Sequence, residues 1–237
     1  MRYIDFHTHI IPKIDDGANN CDEALHMLAS ARSAGAESVV LTPHYLGQMP
    51  ICDFCKIRDQ QITELKQAMK KNDGPFPAIL SGAEVYLGSA LSENDDVQKL
   101  CINGTDTILL ELPYTAWSKW HIQEVYHLIA RQNLTPVIAH VERYMRGPKD
   151  LEKLDRLISI GAKFQVNATS YLTFSGRRVI NALAKQDLIC AIASDCHDTR
   201  MRPANISRSL RAMEKHLGAE FLLETYEKTK QLIKKEQ

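Results

Sequence analysis

The chain has 237 residues, with Lys+Arg and Asp+Glu at 29 each, so its formal net charge at pH 7 is zero. Hydrophobic residues make up 44% and charged residues 24%, ordinary values for a packed globular protein. The balance argues against a nucleic-acid or membrane-surface field, and no apolar run approaches the ~20 residues of a membrane span.

Residues 3–6 read as a short strand (Tyr3, Ile4, Phe6) ending in His7-Thr8-His9. In an extended chain residues i and i+2 point to one side, so both imidazoles aim at one point and suit a metal ion. A loop follows, with turn chemistry at Asp15-Asp16-Gly17. Ala24, Leu25, Leu28 and Ala31 mark a helix over 21–34, ended by Gly35. Residues 38–41 form a short buried strand that stops at Thr42-Pro43-His44. A helix with a solvated basic face covers 53–71 and breaks at Asn72-Asp73-Gly74-Pro75. The next strand, over 78–85, carries Glu84 near its end. After a short helix over 91–100, a strand over 107–111 ends in Glu111. A helix over 119–132 leads to a strand over 136–140, ending in His140. Then come a helix over 150–160, a strand over 163–166 ending near Asn167, and a helix over 177–185. A strand over 189–193 runs into Ser194-Asp195-Cys196-His197-Asp198, and helices over 206–216 and 219–235 finish the chain.

Strand and helix alternate about seven times, which makes a parallel sheet. No Gly-rich phosphate loop follows the first strand, so a closed α/β barrel is expected rather than an open Rossmann sheet. It is expected as one domain over residues 1–237, including the two C-terminal helices. Six cysteines (Cys21, Cys52, Cys55, Cys101, Cys190, Cys196) fall in no regular framework and read as free thiols in a reducing cytosol. The chain enters its first strand at once, so a cytoplasmic protein without signal peptide or membrane insertion is expected.

Five of the nine histidines follow strands directly: His7, His9, His44, His140 and His197. The other four (His26, His121, His127, His216) fall in helices, where a solvated or packed histidine is the ordinary reading. Glu84, Glu111 and Asp195 repeat the strand-end pattern. In a parallel barrel those ends share one face, and active sites are built there. With Asp16 the candidate ligands number nine, too many for one ion and enough for two or three. Imidazole and carboxylate without thiolate suit manganese, iron or zinc. Cys196 should face away from Asp195 and His197, which flank it.

The segments DFHTH, DDG, TPH, GAEVY, LLELP, VIAHVERY and ASDCHDTRMRP span residues 5–203. In this order and spacing they resemble the PHP (polymerase and histidinol phosphatase) superfamily. Within it the chain is similar to the bacterial manganese-dependent protein-tyrosine phosphatases of capsule and exopolysaccharide operons. The resemblance implies a distorted seven-stranded (β/α)7 barrel of PHP type holding two or three divalent ions, with manganese the first choice. It implies one ion on His7, His9, Glu84 and Asp195, a second on Glu84, Glu111 and His140, and a third on Asp16, His44 and His197. Arg143 and Arg202 match the arginines that family uses on the substrate phosphate. The implied partner is a phosphotyrosine protein, the tyrosine-rich tail of a bacterial tyrosine kinase controlling polysaccharide assembly, and a homo-oligomer is compatible with that role. The alternatives are a small-molecule phosphatase of the histidinol-phosphate type and a phosphodiesterase.

Read from the residues, Arg143 lies three positions past His140, and its planar fork suits phosphate oxygens. A salt bridge at the rim is the competing reading. Arg200 is as plausible as Arg202 by position. Asp195 and His197 are the candidate proton donors to a leaving group, and Asp5 either orients a histidine or is structural. Two C-x5-R spacings occur, Cys52 to Arg58 and Cys196 to Arg202, but neither has a glycine-rich anion cradle before a helix, so a thiolate nucleophile is not expected. Cys52-x-x-Cys55 has no second pair for a zinc ribbon. Tyr45, Tyr114, Trp117 and Tyr171 are candidates for a rim that docks a peptide ring, or for packing.

Overall fold

Every strand pairing is parallel, as the strand–helix alternation requires. The computed structural model describes residues 2–234, so Lys235, where the last helix was expected to end, lies outside the described residues. The strands are β1 (Tyr3–Thr8), β2 (Ala36–Leu41), β3 (His44–Tyr45), β4 (Ala78–Ser81), β5 (Glu84–Tyr86), β6 (Thr107–Glu111), β7 (Thr135–Ile138), β8 (Lys163–Asn167) and β9 (Ile189–Ala193). The α-helices are α1 (Cys21–Ser33), α2 (Ile51–Asn72), α3 (Lys119–Ala130), α4 (Asp155–Ser159), α5 (Phe174–Lys185), α6 (Ser207–Leu217) and α7 (Ala219–Leu232).

The ladders among the described residues form two sheets, β1-β2-β4 and β3-β5-β6-β7-β8-β9, rather than one closed seven-stranded ring. Two interruptions cause the division. Pro43, which has no N–H to donate, separates β2 from β3. Gly82-Ala83 separates β4 from β5, where the backbone is crowded: a Cβ on Gly82 would lie 3.2 Å from Ile102 Cγ1 and 3.3 Å from Thr42 Cγ2. Beyond the breaks, His44 and Glu84 are direct partners across β3 and β5. At its other edge β1 meets the end of β9. Asp195 N–H donates to His7 O and His9 N–H to Cys196 O, each over 2.9 Å, and Ser194 N–H donates to Asp5 Oδ1 over 2.8 Å.

Packing explains why the strand ends can carry charge. Along β6 the side chains alternate with period two: Ile108 and Leu110 join the large cluster beneath the helices, and Leu109 joins a second, smaller one. That second cluster also takes Phe6, Val137, Ala139, Ala191 and Ala193, with Leu232 of α7 against it. Burying one such leucine or phenylalanine stabilises by about 1.5–3 kcal/mol. The polar ends of the strands thus stand on an apolar floor.

Local chemistry moved several expected boundaries. The helix expected over 91–100 is two 3-10 turns, Leu91–Glu93 and Val97–Leu100. Between them Asn94 Oδ1 accepts from Asp96 N–H (2.9 Å), a side-chain bond that competes with helix. The helix expected over 150–160 is a 3-10 segment, Pro148–Leu154, followed by the short α4. α5 begins earlier than the expected 177, because Thr173 Oγ1 caps it by accepting from Gly176 N–H (3.0 Å).

Candidate metal centre

Glu84 is the hub of the site. Its Oε2 lies 3.1 Å from His7 Nε2, 3.3 Å from His9 Nε2 and 3.0 Å from His44 Nδ1, and its Oε1 lies 2.9 Å from His140 Nε2. Asp195 Oδ1 is 3.7 Å from His7 Nε2, 3.5 Å from His9 Nε2 and 3.6 Å from His197 Nδ1. Asp16 Oδ1 stands 3.5 Å from His44 Nε2 and 3.4 Å from His197 Nε2, and Glu111 Oε1 is 3.8 Å from His140 Nε2. The structure therefore brings all nine expected groups together. His7, His9, Glu84, His140, Asp195 and His197 are buried, whereas Asp16 stands 68% exposed at the mouth.

Backbone geometry aims two of these side chains. His140 follows β7 at φ 34°, and Asp195 follows β9 at φ 52°. Both are left-handed conformations that cost a non-glycine residue about 1–3 kcal/mol and cluster at functional sites. In β1 the register against β2 slips between Asp5 and Thr8, an irregularity of the kind that re-aims side chains.

A second layer, not foreseen from sequence, holds the imidazoles. His9 Nδ1–H donates to Asp15 Oδ2 (2.7 Å), and Asp15 also accepts from the N–H groups of Gly17 and His44, each at 3.0 Å. His7 Nδ1–H donates to Gln165 Oε1 (3.2 Å), which also accepts from His140 N–H (2.9 Å). Gln165 Nε2 in turn donates to Asn167 Oδ1 (2.8 Å), and Asn167 Nδ2 to Asp195 Oδ2 (2.7 Å). These bonds fix the tautomers, leaving Nε2 of both His7 and His9 as lone-pair donors. Asp5 accepts from Ser194 N–H and so ties β1 to the end of β9.

That arrangement fits divalent cations. The two Nε2 atoms face each other at 3.0 Å, a separation that a proton on one ring or a cation beside both makes favourable. Glu84 Oε2, His44 Nδ1 and His197 Nε2 are buried with no hydrogen-bond partner. His44 Nδ1 and Glu84 Oε2 are close but not aligned as a hydrogen bond, the posture of two ligands aimed at a shared point. Three sets of ligand atoms fall within 4.8 Å of one another: His9, Asp16, His44 and His197; His7, His9 and Asp195; His44, Glu84 and Glu111. The division differs from the one the resemblance implies: His9 and His44 each reach two sets, Glu84 falls in one, and His140 in none.

The electrostatics point the same way. Burial works against the charge on Glu84, but His7, His140 and His44 hold its carboxyl well below the usual range. Burial likewise opposes ionisation of Asp195, and His7, His9, Arg143 and Arg202 overcome it. Burial would lower the His9 imidazole, yet Asp15 and Glu84 raise it to about 10. The carboxylates that draw protons onto His7 and His9 draw metal ions by the same force, whereas burial lowers His140. His197 goes the other way, pushed down to about 4 by burial, His9 and Arg202, so its imidazole stays neutral.

Arg143 and Arg202 each hold one oxygen of Asp195 at 2.7 Å, on Oδ2 and Oδ1 respectively. Arg202 makes this contact and Arg200 does not. Tyr114 stacks on His140 (centroids 6.1 Å, 13° between planes) and is 61% exposed. Tyr171 and Tyr45 are buried and belong to the packing instead. Cys52 donates to Asp96 and accepts from Lys99, while Arg58 bonds the carbonyls of Gly82 and Lys99, so no anion cradle forms there. Cys196 is fully buried beside Asp5 and Ser194, facing away from the cluster, and burial pushes its thiol up. His26, His121, His127 and His216 take no part in the clustered sets.

A family model for capsular polysaccharide synthesis, CpsB/CapC, matches residues 3–234. The tyrosine-protein phosphatase YwqE of Bacillus subtilis (strain 168) is 27% identical over 221 residues, covering 92% of this chain and 86% of its own. The tyrosine-protein phosphatase CpsB of Streptococcus pneumoniae is 27% identical over 228 residues, 91% of each chain. Crystal structures of YwqE from Bacillus subtilis and CpsB from Streptococcus pneumoniae, described as unique metal-dependent tyrosine phosphatases, include a chain that matches with a TM-score of 0.83 and 27% identity, over 97% of this chain and 94% of that one. The phosphotriesterase homology protein of Escherichia coli, at 12% identity and a TM-score of 0.58 over 98% and 99%, shares the fold. No helix among the described residues is long and apolar enough to cross a membrane. With its strand-end imidazoles and carboxylates gathered and a family match running almost from end to end, the chain belongs to the CpsB/CapC family of capsular polysaccharide synthesis.

Proposed function

We propose that this protein is a metal-dependent protein-tyrosine phosphatase acting on a phosphotyrosine protein of a capsule or exopolysaccharide system, the tail of a tyrosine kinase. The observation that carries the reading is Glu84 among His7, His9, His44 and His140, with Asp195 behind them. His7, His9, Asp16, His44, Glu84, Glu111, His140, Asp195 and His197 would hold two or three divalent ions, manganese before iron or zinc. Bound there, the ions would supply a water activated near neutral pH and positive charge for the phosphate oxygens. The site works in the cytoplasm, on a single domain. Counting β2 with β3 and β4 with β5 as interrupted strands, and joining β1 to β9 through the Thr8–Cys196 bridge, makes that domain a distorted seven-stranded barrel.

The chain's own residues do the rest. Each of Arg143 and Arg202 spends one Nη on Asp195 and keeps further donors for phosphate oxygens. Asp195 orients both guanidiniums. The directions of their shifts leave Asp195 ionised and His197 neutral near pH 7, so neither has a dissociable proton to give. The phenolate, with a pKa of about 10, is a fair enough leaving group to depart and take its proton from solvent. Tyr114, over His140, offers a face to the substrate ring.

The deciding experiment assays phosphotyrosine peptide, histidinol phosphate and a nucleotide, each with manganese and with chelator. Manganese-dependent release of phosphate from the peptide is expected. A preference for histidinol phosphate or the nucleotide would overturn the reading.

A further inference from the structure

Beside the metal centre lies a second cavity of about 640 Å³ that the chemistry above does not use. Tyr114 and Arg143 line it, so it opens directly from the site. Its aromatic wall is set: Tyr144 packs against Tyr114 (5.4 Å) and edge-on to Trp117 (5.2 Å), and Trp117 Nε1–H donates to Pro113 O (3.0 Å). Its far side is cationic. Arg146, Lys153 and Arg156 stand there, against Asp150 and Glu152.

Those acids are unequally free. Asp150 is engaged by Lys153 Nζ (3.1 Å) and by Arg146 N–H (2.7 Å). Arg143 is engaged by Asp195. The guanidiniums of Arg146 and Arg156 have no carboxylate of the described residues within 4.0 Å, although each is exposed on the cavity wall. Two unpaired guanidiniums lining the same cavity as Arg143 form a receptor for oxyanions.

The geometry points to a substrate subsite in this cavity for an anionic side chain, carboxylate or phosphate, that lies within about three residues of the phosphotyrosine on the same peptide. This deepens the proposed function and rests on it. Each residue of extended peptide advances about 3.3–3.6 Å, so a side chain three residues away reaches about 10 Å along the peptide, the scale of a neighbouring subsite. The aromatic wall would flank the peptide while Arg146 and Arg156 bind the anion. Acidic or multiply phosphorylated segments would be preferred substrates, and the preference would appear in KM.

The test compares the wild type with the double variant R146Q/R156Q on four substrates. They are a phosphotyrosine peptide with glutamate at the three positions on either side, its glutamine isostere, the same peptide with a neighbouring phosphotyrosine, and p-nitrophenyl phosphate. A third protein, K66Q/K70Q, removes equal charge from the solvated face of α2. The wild type is expected to favour one or both anionic peptides over the glutamine peptide by about tenfold in KM, the scale of one charge-assisted hydrogen bond. R146Q/R156Q is expected to lose that preference with p-nitrophenyl phosphate turnover unchanged, and K66Q/K70Q to keep it. Preference for the glutamate peptide or for the doubly phosphorylated one identifies the source of the anion. Equal KM values in the wild type, a preference surviving in R146Q/R156Q, or one lost equally in K66Q/K70Q would each overturn the subsite. Failure to hydrolyse any of the three peptides while p-nitrophenyl phosphate is consumed would instead overturn the protein-phosphatase reading.

Discussion

His9 donates from Nδ1 to Asp15 Oδ2 over 2.7 Å, and this one bond decides which nitrogen faces the metal cluster. Asp15 also gathers the backbone N–H groups of Gly17 and His44, so it ties the loop after β1 to the start of β3. Asp15→Asn keeps the shape but loses the charge that makes His9 electron-rich. Metal affinity should fall about 10–100-fold, as it does when such supporting carboxylates are lost. Titration of the metal-stripped protein by calorimetry measures it, and unchanged affinity would show that Asp15 only shapes the loop.

Glu84→Gln strikes the hub. The carboxylate close to four histidines becomes a neutral amide, and the loss should exceed that at Asp15. Turnover should drop more than ~100-fold, with metal content reduced in elemental analysis of gently purified protein. Wild-type turnover with full metal would remove Glu84 from the centre.

Chelation should remove activity and lower the melting temperature together, because the ions bind folded protein only. At a free metal concentration of ~100 times Kd the stabilisation is about 2.7 kcal/mol. For a chain of this length that corresponds to roughly 5–10 °C. Thermal melts with EDTA and after manganese addition check it, and identical melts would count against the site.

Thiol chemistry separates this mechanism from a cysteine phosphatase. Burial pushes the thiols of Cys101 and Cys190 up to about 12, and that of Cys196 up as well, so none forms a thiolate readily. Iodoacetamide at pH 8 should label the half-buried Cys21 and Cys52 first and leave turnover intact. Cys52→Ser and Cys196→Ser should each retain most activity; an inactive but folded protein from either would revive a thiolate nucleophile.

With Asp195 ionised and His197 neutral near pH 7, rate should follow the leaving group. Aryl phosphates should be hydrolysed far faster than alkyl phosphates such as phosphoserine peptides. Near-equal rates on phosphotyrosine and phosphoserine peptides would reveal a general acid.

How much of this was legible beforehand depended on where the signal sits. His7 and His9 announce themselves by spacing, and Glu84, Glu111, His140 and Asp195 by falling at strand ends, since that pattern is local. Gln165 and Asn167 carry no such mark. They are ordinary amides in a strand until β1, β7 and β9 are in place and bring them His7, His140 and Asp195 as partners. Asp15 was hidden by Asp16, because adjacent carboxylates in a turn cannot be told apart until the loop is folded. The split of residues 78–85 at Gly82 depends on Thr42 and Ile102 pressing from elsewhere in the chain. The aromatic rim was half legible for the same reason: nothing near Tyr171 in sequence says that it is core.

Asp5 and Ser194, whose hydrogen bond closes β1 onto the end of β9, are 189 positions apart. On the ribosome, at about 5–20 residues per second, the first two histidines emerge roughly 10–40 s before Asp195 and His197 exist to join them. A nascent chain therefore carries only scattered, weak ligands for most of its synthesis. A chain that stops before residue 195 lacks two of the nine candidate groups, Asp195 and His197, so the whole cluster can assemble only once synthesis has passed them.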